Sequence, residues 1–111
     1  MPYWKFTAPL AAIVSGALLY TVMPDAPAAG MATVRIDNFN FAPAALTVAA
    51  GTTVTWTNAD DSPHTVREKD GKFKSAALDT DDTFSQTFTA PGKYEYFCSI
   101  HPRMTGEIVV K

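Results

Sequence analysis

One cysteine and two histidines are all the thiol and imidazole that a chain of 111 residues carries. With Cys98 alone there is no internal disulfide, the usual staple of a small exported domain. Basic runs are missing too. Nine Lys and Arg stand singly against 11 Asp and Glu, for a net charge of −2, which excludes a nucleic-acid footprint. From Met31 to Lys111 there is no repeat, no low-complexity tract and no helical stripe longer than about two turns. Disorder is also excluded, because 47% of residues are hydrophobic and 12% aromatic, ample for a packed core.

Long apolar runs are short of a membrane span. Lys5 is the only charge before Asp25, and Ala8 to Met23 is almost wholly apolar, but those 16 residues fall below the ~20 that a spanning helix needs. Pro24 ends the run, and Ala26-Pro27-Ala28 offers the small residues of a signal-peptidase site. Residues 1–28 are therefore expected to be a cleaved export signal, with an uncleaved membrane anchor as the alternative, and the protein is expected in the periplasm. Lipid attachment to an N-terminal cysteine is excluded, since Cys98 is the only one. The remainder is one domain, 29–111. Its 83 residues can bury only about 60–65% of their unfolded surface, a shortfall that a bound metal would help to offset.

Period two dominates this domain, as in half-buried strands. Val34 and Ile36 alternate with Arg35 and Asp37. Val54, Trp56 and Asn58 alternate with threonines, and Phe84, Gln86 and Phe88 with Ser85, Thr87 and Thr89. Tyr94, Tyr96 and Cys98 share one side of a strand Lys93–Cys98, and Glu107–Val110 closes the chain. Turn signals fall at Ala50-Gly51, Asp60 to Pro63, Asp70-Gly71, Pro91-Gly92 and Thr105-Gly106. Many short strands so spaced predict an all-β fold, two facing sheets in Greek-key order.

The chemistry lies in Cys98-Ser99-Ile100-His101-Pro102-Arg103-Met104. Pro102 has no N–H for a ladder, so a tight loop gathers Cys98, His101 and Met104 around one point, and His64 stands in a second loop after Pro63. Taken singly, a buried cysteine, a loop histidine and a core methionine are ordinary. Taken together they make a thiolate, two imidazoles and a thioether, the donor set of a blue-copper electron-transfer site. Zinc fits less well, because structural zinc takes four Cys or His ligands and only three are present.

Tyr94 to Met104 resembles the copper loop of cupredoxins. The two residues between His101 and Met104 are similar to the amicyanin branch; plastocyanin and pseudoazurin have a longer spacing there. Trp56-Thr57-Asn58 with Ser62-Pro63-His64-Thr65-Val66 resembles the family's first-histidine loop, and Phe84–Phe88 followed by Ala90-Pro91-Gly92-Lys93-Tyr94 fits as well. The resemblance covers about residues 32 to 111. It implies an eight-stranded Greek-key sandwich with copper at one end, passing single electrons between larger redox proteins. Thr65 stands where amicyanins usually have Asn, and Ile100 where they usually have Pro. Thr65 is nonetheless expected to offer its backbone N–H to the Cys98 sulfur.

Around the ligands, Pro63 and Pro102 are expected to restrict the histidines' backbones, and Ser99 and Asn58 to tie the two loops together. Ile100, His101 and Pro102 form an expected docking patch for transient redox partners, a dehydrogenase or a c-type cytochrome, with the carrier itself a monomer. Asp60, Asp61, Asp79, Asp81 and Asp82 are taken mainly as loop-solvating residues. The expected function is a type 1 copper electron carrier; a periplasmic copper chaperone or buffer is the alternative, although such proteins tend to be rich in Met and His. Catalysis is not expected. Oxygen- or nitrite-reducing copper clusters need further histidines, and a dinuclear centre needs a second cysteine.

Overall fold

The computed structural model describes residues 29–111, so the expected export segment at 1–28 lies outside the described residues. Alternation builds the strands as expected. In β1 (Met31–Asp37) Val34 and Ile36 turn inward, and in β4 (Thr52–Asn58) every second residue from Thr52 is buried. β6 (Thr83–Phe88) buries Phe88, with Phe84 and Gln86 half-buried; β7 (Gly92–Phe97) sends Tyr96 inward, and β8 (Thr105–Val110) Ile108 and Val110. Three further short strands have no clear alternation in the sequence: β2 (Asn40–Ala42), β3 (Ala45–Val48) and β5 (Arg67–Glu68). No helix occurs among the described residues.

The eight strands form two sheets of four, in the orders β2-β1-β4-β6 and β3-β8-β7-β5. β1 runs parallel to β4 and β3 parallel to β8; the other pairs are antiparallel. The all-β Greek-key sandwich is therefore present. Between the sheets lies an aromatic core in which fully buried Trp56 meets Phe73, Phe84, Phe88 and Tyr96 at ring centroids of 5.4–6.3 Å. Cys98 and Met104 belong to the same buried cluster. The candidate ligands thus cap the core at one end of the sandwich.

Two boundaries differ from expectation. Cys98 stands one residue past β7 rather than inside it. Thr105-Gly106 is not a turn but the start of β8, with Gly106 opposite Tyr96 in the ladder. A Cβ on Gly106 would run into the Tyr96 ring, and that ring is held by Phe41 and Trp56. The glycine is needed there to admit an aromatic residue across the strand pair. Gly106→Ala is expected to lower stability by about 1–3 kcal/mol, the cost of overpacking a filled core, seen as a lower urea midpoint with an unchanged slope.

Candidate metal centre

The Cys98 loop is closed by its own backbone. The Cys98 N–H donates to the Met104 carbonyl at 3.0 Å, the His101 N–H to Cys98 at 3.2 Å and the Met104 N–H to His101 at 2.9 Å. Cys98, His101 and Met104 are thereby drawn together over three residues of spacing each, as Pro102 and the end of β7 require. His64 sits in a narrow bridge, not a free loop. Its N–H and carbonyl pair with Leu78 at 3.0 and 2.7 Å, which fixes the imidazole between the sheets at 0% exposure.

The ligand atoms of His64, Cys98 and His101 lie within 4.8 Å of one another. Cys98 Sγ is 3.8 Å from His64 Nδ1 and 3.6 Å from His101 Nδ1, and buried Met104 closes the group. Burial pushes the Cys98 thiol up, but the Thr65 amide, the facing His64 and His101 rings and the Ile100 amide together outweigh it and hold the group at about 6. The sulfur is therefore a ready thiolate under neutral conditions. Two sulfurs, one of them anionic, and two ring nitrogens suit a single borderline-to-soft ion; His64, Cys98 and His101 are a candidate ligand set for one copper.

Thr65 acts as expected, and does more. Its N–H points to Cys98 Sγ at 3.3 Å, and its hydroxyl lies 3.7 Å from the same sulfur. That hydroxyl also accepts the Ser99 N–H at 2.7 Å and pairs with Ser99 Oγ at 2.7 Å. Ser99 and Thr65 thus tie the two ligand loops together. Asn58 does not. Fully buried at the end of β4, it donates to the carbonyls of Ser62 and Leu78 and accepts from the Asp60 N–H, all within the His64 side of the site. Pro63 and Pro102 flank the histidines in sequence, and Pro102 is exposed.

Asp60 corrects the reading of the acidic loop. Its carboxylate accepts the His64 Nε2–H at 2.7 Å and the amides of Asn38 and Phe39 at 2.7 and 2.9 Å. Desolvation opposes its charge, but those amides and the His64 ring together hold the carboxyl below its ordinary range. An ionised Asp60 keeps the proton on Nε2, leaving Nδ1 a free lone pair toward the thiolate. In sequence the only signal was an acid four residues before a histidine, and the neighbouring aspartates concealed it. Phe39 was missed altogether. Its ring stands edge-on to both imidazoles, 5.2 Å from His64 and 5.0 Å from His101.

This fold and donor set agree with comparison to known proteins. A family model for a cupredoxin-like domain matches residues 10–110. The chain belongs to the cupredoxin-like family. Among its relatives, the amicyanin-alpha of Methylorubrum extorquens is 38% identical over 91% of this chain and 87% of its own. A purple cupredoxin from Nitrosopumilus maritimus superposes with a TM-score of 0.67 at 36% identity, over 72% of this chain and 99% of its own. An amicyanin point mutant in its Cu(I) form does so with a TM-score of 0.70 at 35% identity, over 76% and 85%. Among the described residues, the histidines of this cupredoxin are both in the candidate centre, and each turns Nδ1 toward the sulfur.

Proposed function

We propose that this cupredoxin is a type 1 copper electron carrier, with one ion held by His64 Nδ1, Cys98 Sγ, His101 Nδ1 and Met104. The observation that carries this reading is a buried cysteine sulfur faced by two imidazole nitrogens within 4 Å in a cupredoxin fold. Bound copper supplies a one-electron couple between Cu(I) and Cu(II). The protein supplies a fixed donor set: the His64–Leu78 bridge, the backbone-closed Cys98 loop and the Thr65–Ser99 tie all stand on bonds within the chain. Ligands so held rearrange little between the two charge states, which favours fast transfer.

His101 is half-buried, and beside it Ile100 is 48% exposed and Pro102 exposed. These three make the proposed docking patch for a dehydrogenase or c-type cytochrome, met briefly through a small interface. The apolar segment at 8–23 and the small residues at 26–28 support export to the periplasm. The test is the visible spectrum of the purified protein with Cu(II). An intense thiolate-to-copper band is the expected result, and a colourless copper protein would overturn the reading. Ile100→Glu is expected to slow electron exchange with the partner while leaving that band unchanged, since its side chain is exposed and only its amide faces the sulfur. Stopped-flow rates with the variant and parent decide it.

A further inference from the structure

The tip of the β1–β2 hairpin adopts a costly conformation. Asn38 and Phe39 both hold positive φ, 51° and 58°, a region that costs an ordinary side chain roughly 1–2 kcal/mol. Asn is common at the first position of such a two-residue turn, but glycine is the usual choice at the second. Phe39 is not there to fill the core either, being 49% exposed. What the position achieves is contact with both imidazoles, edge-on at 84° and 88°, where the two rings lie 5.1 Å apart.

Asp60 enforces this placement. The same carboxylate that accepts the Asn38 and Phe39 amides also accepts His64 Nε2–H, so one group sets both the imidazole and the ring packed against it. Beside Phe39 lies an open cleft of about 310 Å³, lined also by Phe41, His101, Arg103 and Met104. It is roomy enough for a small anion, and the cationic Arg103 that lines it would attract one.

We propose that Phe39 is an access-determining residue: its ring seals the paired imidazoles and keeps small anions that enter the cleft away from the ion and from Cys98 Sγ. The part concerning the ion rests on the copper reading above; the part concerning the thiol does not. Both parts are measured on the full chain. Phe39→Gly removes the ring yet suits the positive φ, so the turn survives; Phe39→Leu keeps apolar bulk.

In the metal-free protein, alkylation by iodoacetamide reports on one site, because Cys98 is the only thiol. The expected result is alkylation faster in Phe39→Gly by on the order of ten-fold, with Phe39→Leu near the parent. In the copper-loaded protein, azide is expected to shift the visible spectrum of Phe39→Gly saturably, and to leave the parent and Phe39→Leu unchanged. Alkylation rates within about two-fold of one another, with the same azide response in all three, would overturn the seal. Faster alkylation without an azide response would overturn the part concerning the ion. Slower partner exchange with both readouts at parent values would make Phe39 a docking residue only, and would overturn the proposal as well. Should the parent give no visible band with Cu(II), the electron-carrier reading fails, and the alkylation comparison still decides the seal.

Discussion

Cys98→Ala is expected to abolish the intense visible band of the copper-loaded protein and to weaken copper binding by orders of magnitude, while leaving the fold standing. The two halves of that expectation come from different magnitudes. Cys98 is fully buried within the core cluster, but losing one sulfur from a small side chain costs about 1 kcal/mol in cavity and contacts. The thiolate, by contrast, is the anionic donor of the set, and two nitrogens with a thioether are a poor substitute. The measurement is a copper titration followed by thermal melts. Copper should raise the melting temperature of the parent, because a ligand that binds only the folded state stabilises it by an amount that grows with the logarithm of its concentration over its dissociation constant. It should leave Cys98→Ala where the metal-free variant melts. A variant that keeps the band, or still melts higher with copper, would remove Cys98 from the centre.

That site was legible in the sequence because its chemistry is concentrated. Cys98, His101 and Met104 fall within seven residues, and a scarce residue type in a tight pattern carries its own meaning. The strands were legible wherever one face is buried, as in β1, β4, β6 and β7. β2, β3 and β5 were not. They are two to four residues long, shorter than the alternation needs to repeat, and they exist because partners in β1, β8 and β7 pair with them. Gly106 shows the same limit from the other side. A Thr-Gly pair signals a turn locally, yet here the glycine makes room for an aromatic ring on the neighbouring strand.

The supporting groups were hidden for a related reason. Asp60 and Phe39 are 21 residues apart in sequence, and only the parallel pairing of β1 with β4 brings the hairpin tip over the His64 loop. Asn58 was expected to bridge two loops and instead organises one, since its amide is spent on Ser62 and Leu78. Composition and spacing identify donors that must touch a metal. They say little about groups that touch the donors, because those contacts are set by register between distant strands.

Trp56→Ala is expected to be the most destabilising single change in the domain, and copper is expected to rescue it. Trp56 is 0% exposed at the centre of the aromatic core, so truncation to Ala costs about 3–5 kcal/mol. At 0.05–0.15 kcal/mol per residue, a domain of this size has roughly 4–12 kcal/mol to lose, so the change removes a large share of the metal-free stability. Trp56→Phe should cost far less. Among the described residues the indole Nε1 and the Tyr96 hydroxyl both lack a hydrogen-bond partner, so a phenyl ring gives up volume but also removes a buried unpaired donor. Copper at a thousand times its dissociation constant contributes about 4 kcal/mol, comparable to the whole cavity cost. Circular dichroism melts of Trp56→Ala with and without copper should therefore differ widely, and a chelator added to the loaded variant should return its melting temperature to the metal-free value. If the loaded and metal-free variants melt together, copper does not bind the folded variant, and the candidate centre that Cys98 and Met104 share with the core loses its support.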